Sequence, residues 1–133
     1  MRFALLIISL LFSSYCFSQT AKNIDQTKDS IVYHFEVRLT KALGLTPNCG
    51  YMAFALLQKF EVIKTDFPNY TNRFVLIVEP CPEFLGIGFF QNNKIYQVSA
   101  TLNSTAPFSY PYPNKYEKDN LPIFWSKEIT KLK

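Results

Sequence analysis

Hydrophobic and polar positions alternate most cleanly between Ile31 and Thr40. Ile31, Tyr33, Phe35, Val37 and Leu39 fall on one side; Val32, His34, Glu36, Arg38 and Thr40 fall on the other. A period of two predicts a half-buried strand, and the β-branched and aromatic content agrees. From Tyr51 to Lys64 the pattern is mixed. Phe60, Val62 and Lys64 oppose Glu61 and Ile63, while Tyr51 to Leu57 is almost wholly apolar. One long, bent strand that faces the core at both ends accounts for this. A helical turn at its start is the rival, because alanine and leucine favour helix.

Arg73 to Glu79 holds an unbroken apolar run, Phe74 to Val78, which predicts a central strand buried on both faces. Pro80 and Pro82 end it, since proline cannot donate to a strand ladder. Leu85 to Phe90, with two glycines and two phenylalanines, is expected to be a short edge or bulged segment, and Asn92-Asn93 a tight turn. Lys94 to Leu102 predicts another strand, with Tyr96, Val98, Ala100 and Leu102 on one face. Asn103 to Asp119 places Pro107, Pro111 and Pro113 among Phe108, Tyr110, Tyr112 and Tyr116. Proline favours extended backbone, so this is expected to be an irregular loop. Leu121 to Trp125 is apolar again, and Ser126 to Leu132 is expected as a closing strand or a short helix capped by Ser126. The whole predicts a mainly β domain, a small antiparallel barrel or sandwich of about five strands.

The N-terminus follows a different pattern. Arg2 is followed by an apolar run from Phe3 to Phe12, and Ser13, Ser14 and Ser18 then make the chain small and polar. That is the order of a secretory signal peptide. The run is shorter than the ~20 apolar residues a spanning helix needs. The expected division is therefore a signal peptide at residues 1–18, a polar leader at residues 19–30 and one domain at residues 31–133. A lipoprotein would acylate Cys16, but Tyr15 stands where such sites want a small residue. The Cys-Phe-Ser-Gln ending at Cys16 to Gln19 resembles signal peptides of Bacteroidetes, and Asp29-Ser30-Ile31 resembles an O-glycosylation signal of that group.

Composition sharpens this picture. Aromatics make up 17% of the chain, enough to fill a core in a single small domain. The net charge of +4 falls to +3 without Arg2, and no run of lysine or arginine stands out. Neither a nucleic-acid partner nor a polybasic membrane segment is expected. Loss of Cys16 leaves Cys49 and Cys81. In an oxidising compartment such a pair is expected to form a disulfide, which stabilises the fold by about 3–4 kcal/mol through chain entropy. The rival is a metal site of Cys49, Cys81, His34 and Glu83, but no close ligand-pair spacing supports it.

Candidate chemistry is sparse. His34, the only histidine, lies on the polar strand face beside Glu36 and Arg38, where a solvated histidine is the expectation. A serine nucleophile would need it as base, and no segment resembles a nucleophile elbow. Glu79, Glu83 and Asp66 could meet in space for paired-carboxylate chemistry. The aromatic loop is the expected binding surface, through Phe108, Tyr110, Tyr112 and Tyr116, since tyrosines give rigid contact area with a polar tip.

The order Cys49-Gly50, long strand to Lys64, strand Phe74 to Val78, Cys81, glycine-bearing segment and Tyr96-Gln97-Val98 resembles the OB-type barrel of netrin-like modules, the fold of tissue inhibitors of metalloproteinases. The resemblance spans Ile31 to Leu102 and implies an OB-like fold. Those inhibitors chelate zinc with an N-terminal cysteine, whereas this chain is expected to start at Gln19 after cleavage, so protease inhibition is not implied. The Cys81-Pro82-Glu83 context also resembles small secreted proteins of Bacteroidetes. The expected function is a non-enzymatic, secreted or periplasmic domain that binds a protein, peptide or glycan at the cell envelope. No catalytic residue, cofactor, metal or nucleic acid is expected, nor any membrane span after signal cleavage. The alternatives are a small hydrolase using carboxylates around Cys81-Pro82-Glu83, and a structural envelope component.

Overall fold

The computed structural model describes residues 31–44, 49–50, 52–106 and 108–133. The expected signal peptide at residues 1–18, the expected leader at residues 19–30, the expected strand start at Tyr51 and Pro107 of the aromatic loop lie outside the described residues.

Five strands form: β1 Tyr33–Leu39, β2 Ala55–Thr65, β3 Phe74–Pro80, β4 Ile95–Thr101 and β5 Ile123–Lys131. They close into a barrel in the order β1-β2-β3-β5-β4, with β4 pairing back onto β1. The expected OB-like, five-stranded architecture is the one that forms, as a barrel and not a sandwich. Every neighbouring pair is antiparallel except β3 and β5, which run parallel through Leu76–Ile123, Ile77–Phe124 and Val78–Trp125. A parallel pair needs a long crossover, and β4 with the aromatic loop after it supplies one.

Two open local readings close in favour of strand, and one expectation changes. Residues 52–54 are not helical, and β2 starts at Ala55. Residues 85–90, expected as a short edge or bulged segment, join no strand: one 3-10 turn, Pro82–Leu85, leads into loop. Cys81, Gly86 and Gly88 there have φ of 46°, 95° and 70°, values that a strand cannot propagate. Of the closing strand and the helix capped by Ser126, the strand is the one that forms. Ser126 lies inside β5 with its side chain buried, because Phe124 and Ser126 continue the same inward alternation.

Alternation also divides the apolar residues into two cores. The barrel interior holds Phe35, Val37, Leu39, Phe60, Val75, Ile77, Tyr96, Val98, Ala100, Phe124 and Ile129. Edge-to-face ring pairs, such as Phe35–Phe124 at 4.8 Å and Phe60–Tyr96 at 6.0 Å, knit it together. The opposite face of β2 and β3 presents Ala55, Leu57, Leu76 and Val78. Tyr110, Tyr112, Tyr116, Leu121, Ile123 and Trp125 pack over these and form a second core outside the barrel. This is why Phe74 to Val78 is an unbroken apolar run: Val75 and Ile77 face the interior, while Leu76 and Val78 lie under the aromatic loop. Burying each such side chain contributes about 1.5–3 kcal/mol.

Candidate functional site

Cys49 and Cys81 are joined by a disulfide, with Cα atoms 5.4 Å apart. The bond ties the segment before β2 to the turn after β3, and the Cys81 N–H donates to the Phe54 carbonyl at 3.0 Å. Glu83 turns inward and accepts the Cys49 N–H through Oε1. Cys49, Cys81 and Glu83 are the one group among the described residues close enough to share a metal. The disulfide removes both thiolates from that role, because the thiolate is the metal ligand. A disulfide is compatible with an oxidising, extracytoplasmic location. No helix among the described residues is long and apolar enough to cross a membrane.

The loop after β3 splits its apolar side chains between two tasks. Leu85, Phe89 and Phe90 pack against the barrel core. The buried Tyr96 hydroxyl donates to the Phe89 carbonyl at 3.0 Å and accepts the Gln91 N–H at 2.8 Å, which pins the base of the loop. Phe84 and Ile87 point the other way. Phe84 is 81% exposed and Ile87 is fully exposed, at the crown of a turn between Gly86 and Gly88. The loop also forms one wall of a groove of about 670 Å³ whose other wall is Ala42 to Gly44. Sequence reasoning missed this tip because its residues look like a buried edge. The paired glycines around Ile87 were the available signal.

The expected binding residues occupy a different place. Tyr110, Tyr112 and Tyr116 are half-buried against the second core. Tyr110 and Tyr112 lie 6.0 and 5.7 Å from Trp125, ring to ring. Phe108 is more than half exposed and touches Tyr110 at 5.0 Å. These four residues therefore combine a packed base with one outward ring.

Of the three carboxylates that could meet, Asp66 lies apart from Glu79. Asp66 follows the far end of β2, whereas Glu79 is level with Leu56 near the start of that strand. Alternation places Glu79 on the interior side with Val75 and Ile77. Burial pushes its carboxyl up to about 7, opposed only by the nearby Ser126 hydroxyl. No hydrogen bond of good geometry joins the two, and Glu79 Oε2, Ser126 Oγ and both polar atoms of the fully buried Gln58 lack a partner.

His34 has Asp66 as its partner, while Arg38 pairs with Glu61 at 3.0 Å. The His34 N–H donates to Asp66 Oδ1 at 2.7 Å, and Nδ1 lies 2.8 Å from Oδ2. Burial opposes ionisation of Asp66, but the backbone and ring of His34 outweigh it and hold the carboxyl below its usual range. The pair lines a polar groove of about 480 Å³ across β1 and β4, with Glu36, Lys64, Gln97, Ser99, Glu128 and Thr130. Ser99 stands directly opposite His34 in the β1–β4 register.

No family model, curated protein or solved structure matches the chain.

Proposed function

We propose that this chain is an extracytoplasmic binding module, and that it engages its partner at the cell envelope through the loop after β3. The observation that carries the reading is the exposure of Phe84 and Ile87 on a turn whose base is fixed by a disulfide and by the Tyr96 hydroxyl. Large apolar side chains held out on a rigid mount are unfavourable in water and mark interaction sites. The signal peptide read at residues 1–18 and the disulfide support the compartment. The experiment is retention of the exported chain on isolated cell envelopes. The F84S/I87S variant is expected to fold normally and lose retention; equal retention of both proteins removes the reading.

A second reading has one observation in its favour. Asp66 orients His34, and Ser99 faces it across β4, the residue set of serine-based acyl transfer. Hydrolysis of a small activated ester, abolished by Ser99→Ala and by His34→Ala, is the expected signature. Absence of turnover, or turnover indifferent to both substitutions, removes it.

A further inference from the structure

The loop after β3 is ringed by charge that no single stretch of the sequence displays. Lys41, Lys94 and Lys131 come from three separate parts of the chain. The Leu39 N–H donates to the Lys94 carbonyl at 3.0 Å, the Asn93 N–H donates to the Leu39 carbonyl at 2.8 Å, and the Ala42 N–H donates to Asn92 Oδ1 at 2.7 Å. These bonds bring Lys41 beside Lys94. Lys131 pairs with Tyr96 in the β4–β5 register, and its Nζ lies 5.7 Å from the Phe89 ring centre. All three lysines are exposed, and none forms an ion pair among the described residues. Glu83, the acidic residue in this loop, is turned inward onto the Cys49 N–H. Two apolar side chains thus stand at the crown with an uncompensated basic collar around their base.

We infer that the partner of this end is a lipid surface bearing anionic headgroups. The inference rests on the binding reading above and names its partner. A stable protein interface needs roughly 1,000 Å² or more with a packed centre, and Phe84 and Ile87 form a tip rather than a broad face. A bilayer interface asks for less: a few apolar side chains placed in the boundary layer, and cations at headgroup level. Lysine suits the second role, because its long stem can lie along apolar surface while the ammonium stays in water. The glycines beside Ile87 let the backbone turn sharply there, at the φ values a side chain resists.

The test is co-sedimentation of the exported chain with phosphatidylcholine vesicles, with and without phosphatidylglycerol, at low and high salt. Binding is expected only with phosphatidylglycerol, and it falls as salt screens the charges. F84S/I87S weakens it about tenfold or more, and K41Q/K94Q/K131Q weakens it about fivefold per charge while leaving the fold intact. Thermal unfolding of each variant confirms that a loss is not a loss of folding. No sedimentation with either vesicle, or sedimentation unchanged in both variants, overturns the lipid assignment. If envelopes still retain the chain through Phe84 and Ile87 while vesicles bind nothing, the partner is an envelope protein or glycan; the lipid inference fails and the binding module stands.

Discussion

Two long loops flank β4, residues 81–94 before it and residues 102–122 after it. Both carry proline among aromatic rings, one proline in the first and four in the second, yet they use the rings in opposite ways. The later loop lies down on the outer face of β2 and β3 and encloses Leu57, Leu76 and Val78 beneath its tyrosines. The earlier loop sends Leu85, Phe89 and Phe90 into the barrel end and holds Phe84 and Ile87 out. Aromatic composition alone therefore does not separate covered rings from exposed ones. What separates them is whether the neighbouring strand offers an apolar face to cover. Leu76 and Val78 make that offer to the tyrosines, and among the described residues Ile87 lies fully exposed.

The two loops are also held by different forces, and the largest expected effect tests that contrast. The loop after β3 begins at a covalent tie closing 32 residues of sequence separation. Replacing both cysteines, C49S/C81S, is expected to cost about 3–4 kcal/mol in the chain-entropy picture. Chemical unfolding with and without reductant measures it. The earlier loop should become the first site of proteolysis in the reduced chain, with the later loop still protected. An unchanged midpoint on reduction would mean that packing, not the bond, holds this end.

The complementary break is made on the packed side. Trp125 supports Tyr110 and Tyr112, so Trp125→Ala is expected to cost about 3 kcal/mol and to free residues 102–122 for proteolysis. If the later loop stayed protected, its tyrosines would be secured by something other than the second core.

A third test addresses the joint between the loops, at the end of β3. Pro80 lines a groove with Ser104 to Ala106 and Tyr110, and Cys81 opens the other loop. Glu79 sits immediately before both. Its carboxyl is raised in the folded protein from 4.5 to about 7 by burial. The folded state therefore holds this proton more tightly than the unfolded chain does. Its stabilising contribution is complete below about pH 4.5, declines as pH rises, and is lost above about 7. By linkage the difference between those limits is up to about 3 kcal/mol. Unfolding at pH 5 and pH 8 should show the loss, and Glu79→Gln should flatten it. A slope that survives the substitution assigns the dependence to another group.

Much of the barrel was legible because its strands obey simple periods. The alternation at Ile31 to Thr40 located β1 within two residues, and the double-sided apolar run located β3. The disulfide follows from cysteine counting, with Cys16 assigned to the expected signal peptide. Other features depend on long-range pairing. Ser126 reads locally as either a strand residue or a helix cap, and its place beside Ala100 in the β4–β5 ladder decides for the strand. His34 reads as a neighbour of Glu36, but its partner is 32 positions away across β2. The lysine collar leaves no trace in any window of sequence, because Lys41, Lys94 and Lys131 converge only through barrel closure.

The smallest expected effect is the one that most directly separates the two loops. Tyr112→Ala removes a half-buried ring that meets Trp125 edge to face, and is expected to lower stability by about 2 kcal/mol. Phe84→Ser and Ile87→Ser remove side chains that touch little but water, so each should change stability by no more than about 0.5 kcal/mol. The contrast is sharper in the unfolding midpoints of the variants than in any binding assay, because it requires no partner. If Phe84→Ser or Ile87→Ser proved as costly as Tyr112→Ala, the tip would be packed in solution. Phe84 and Ile87 would then have to be counted as core, and the distinction between the covered and the exposed loop would disappear with them.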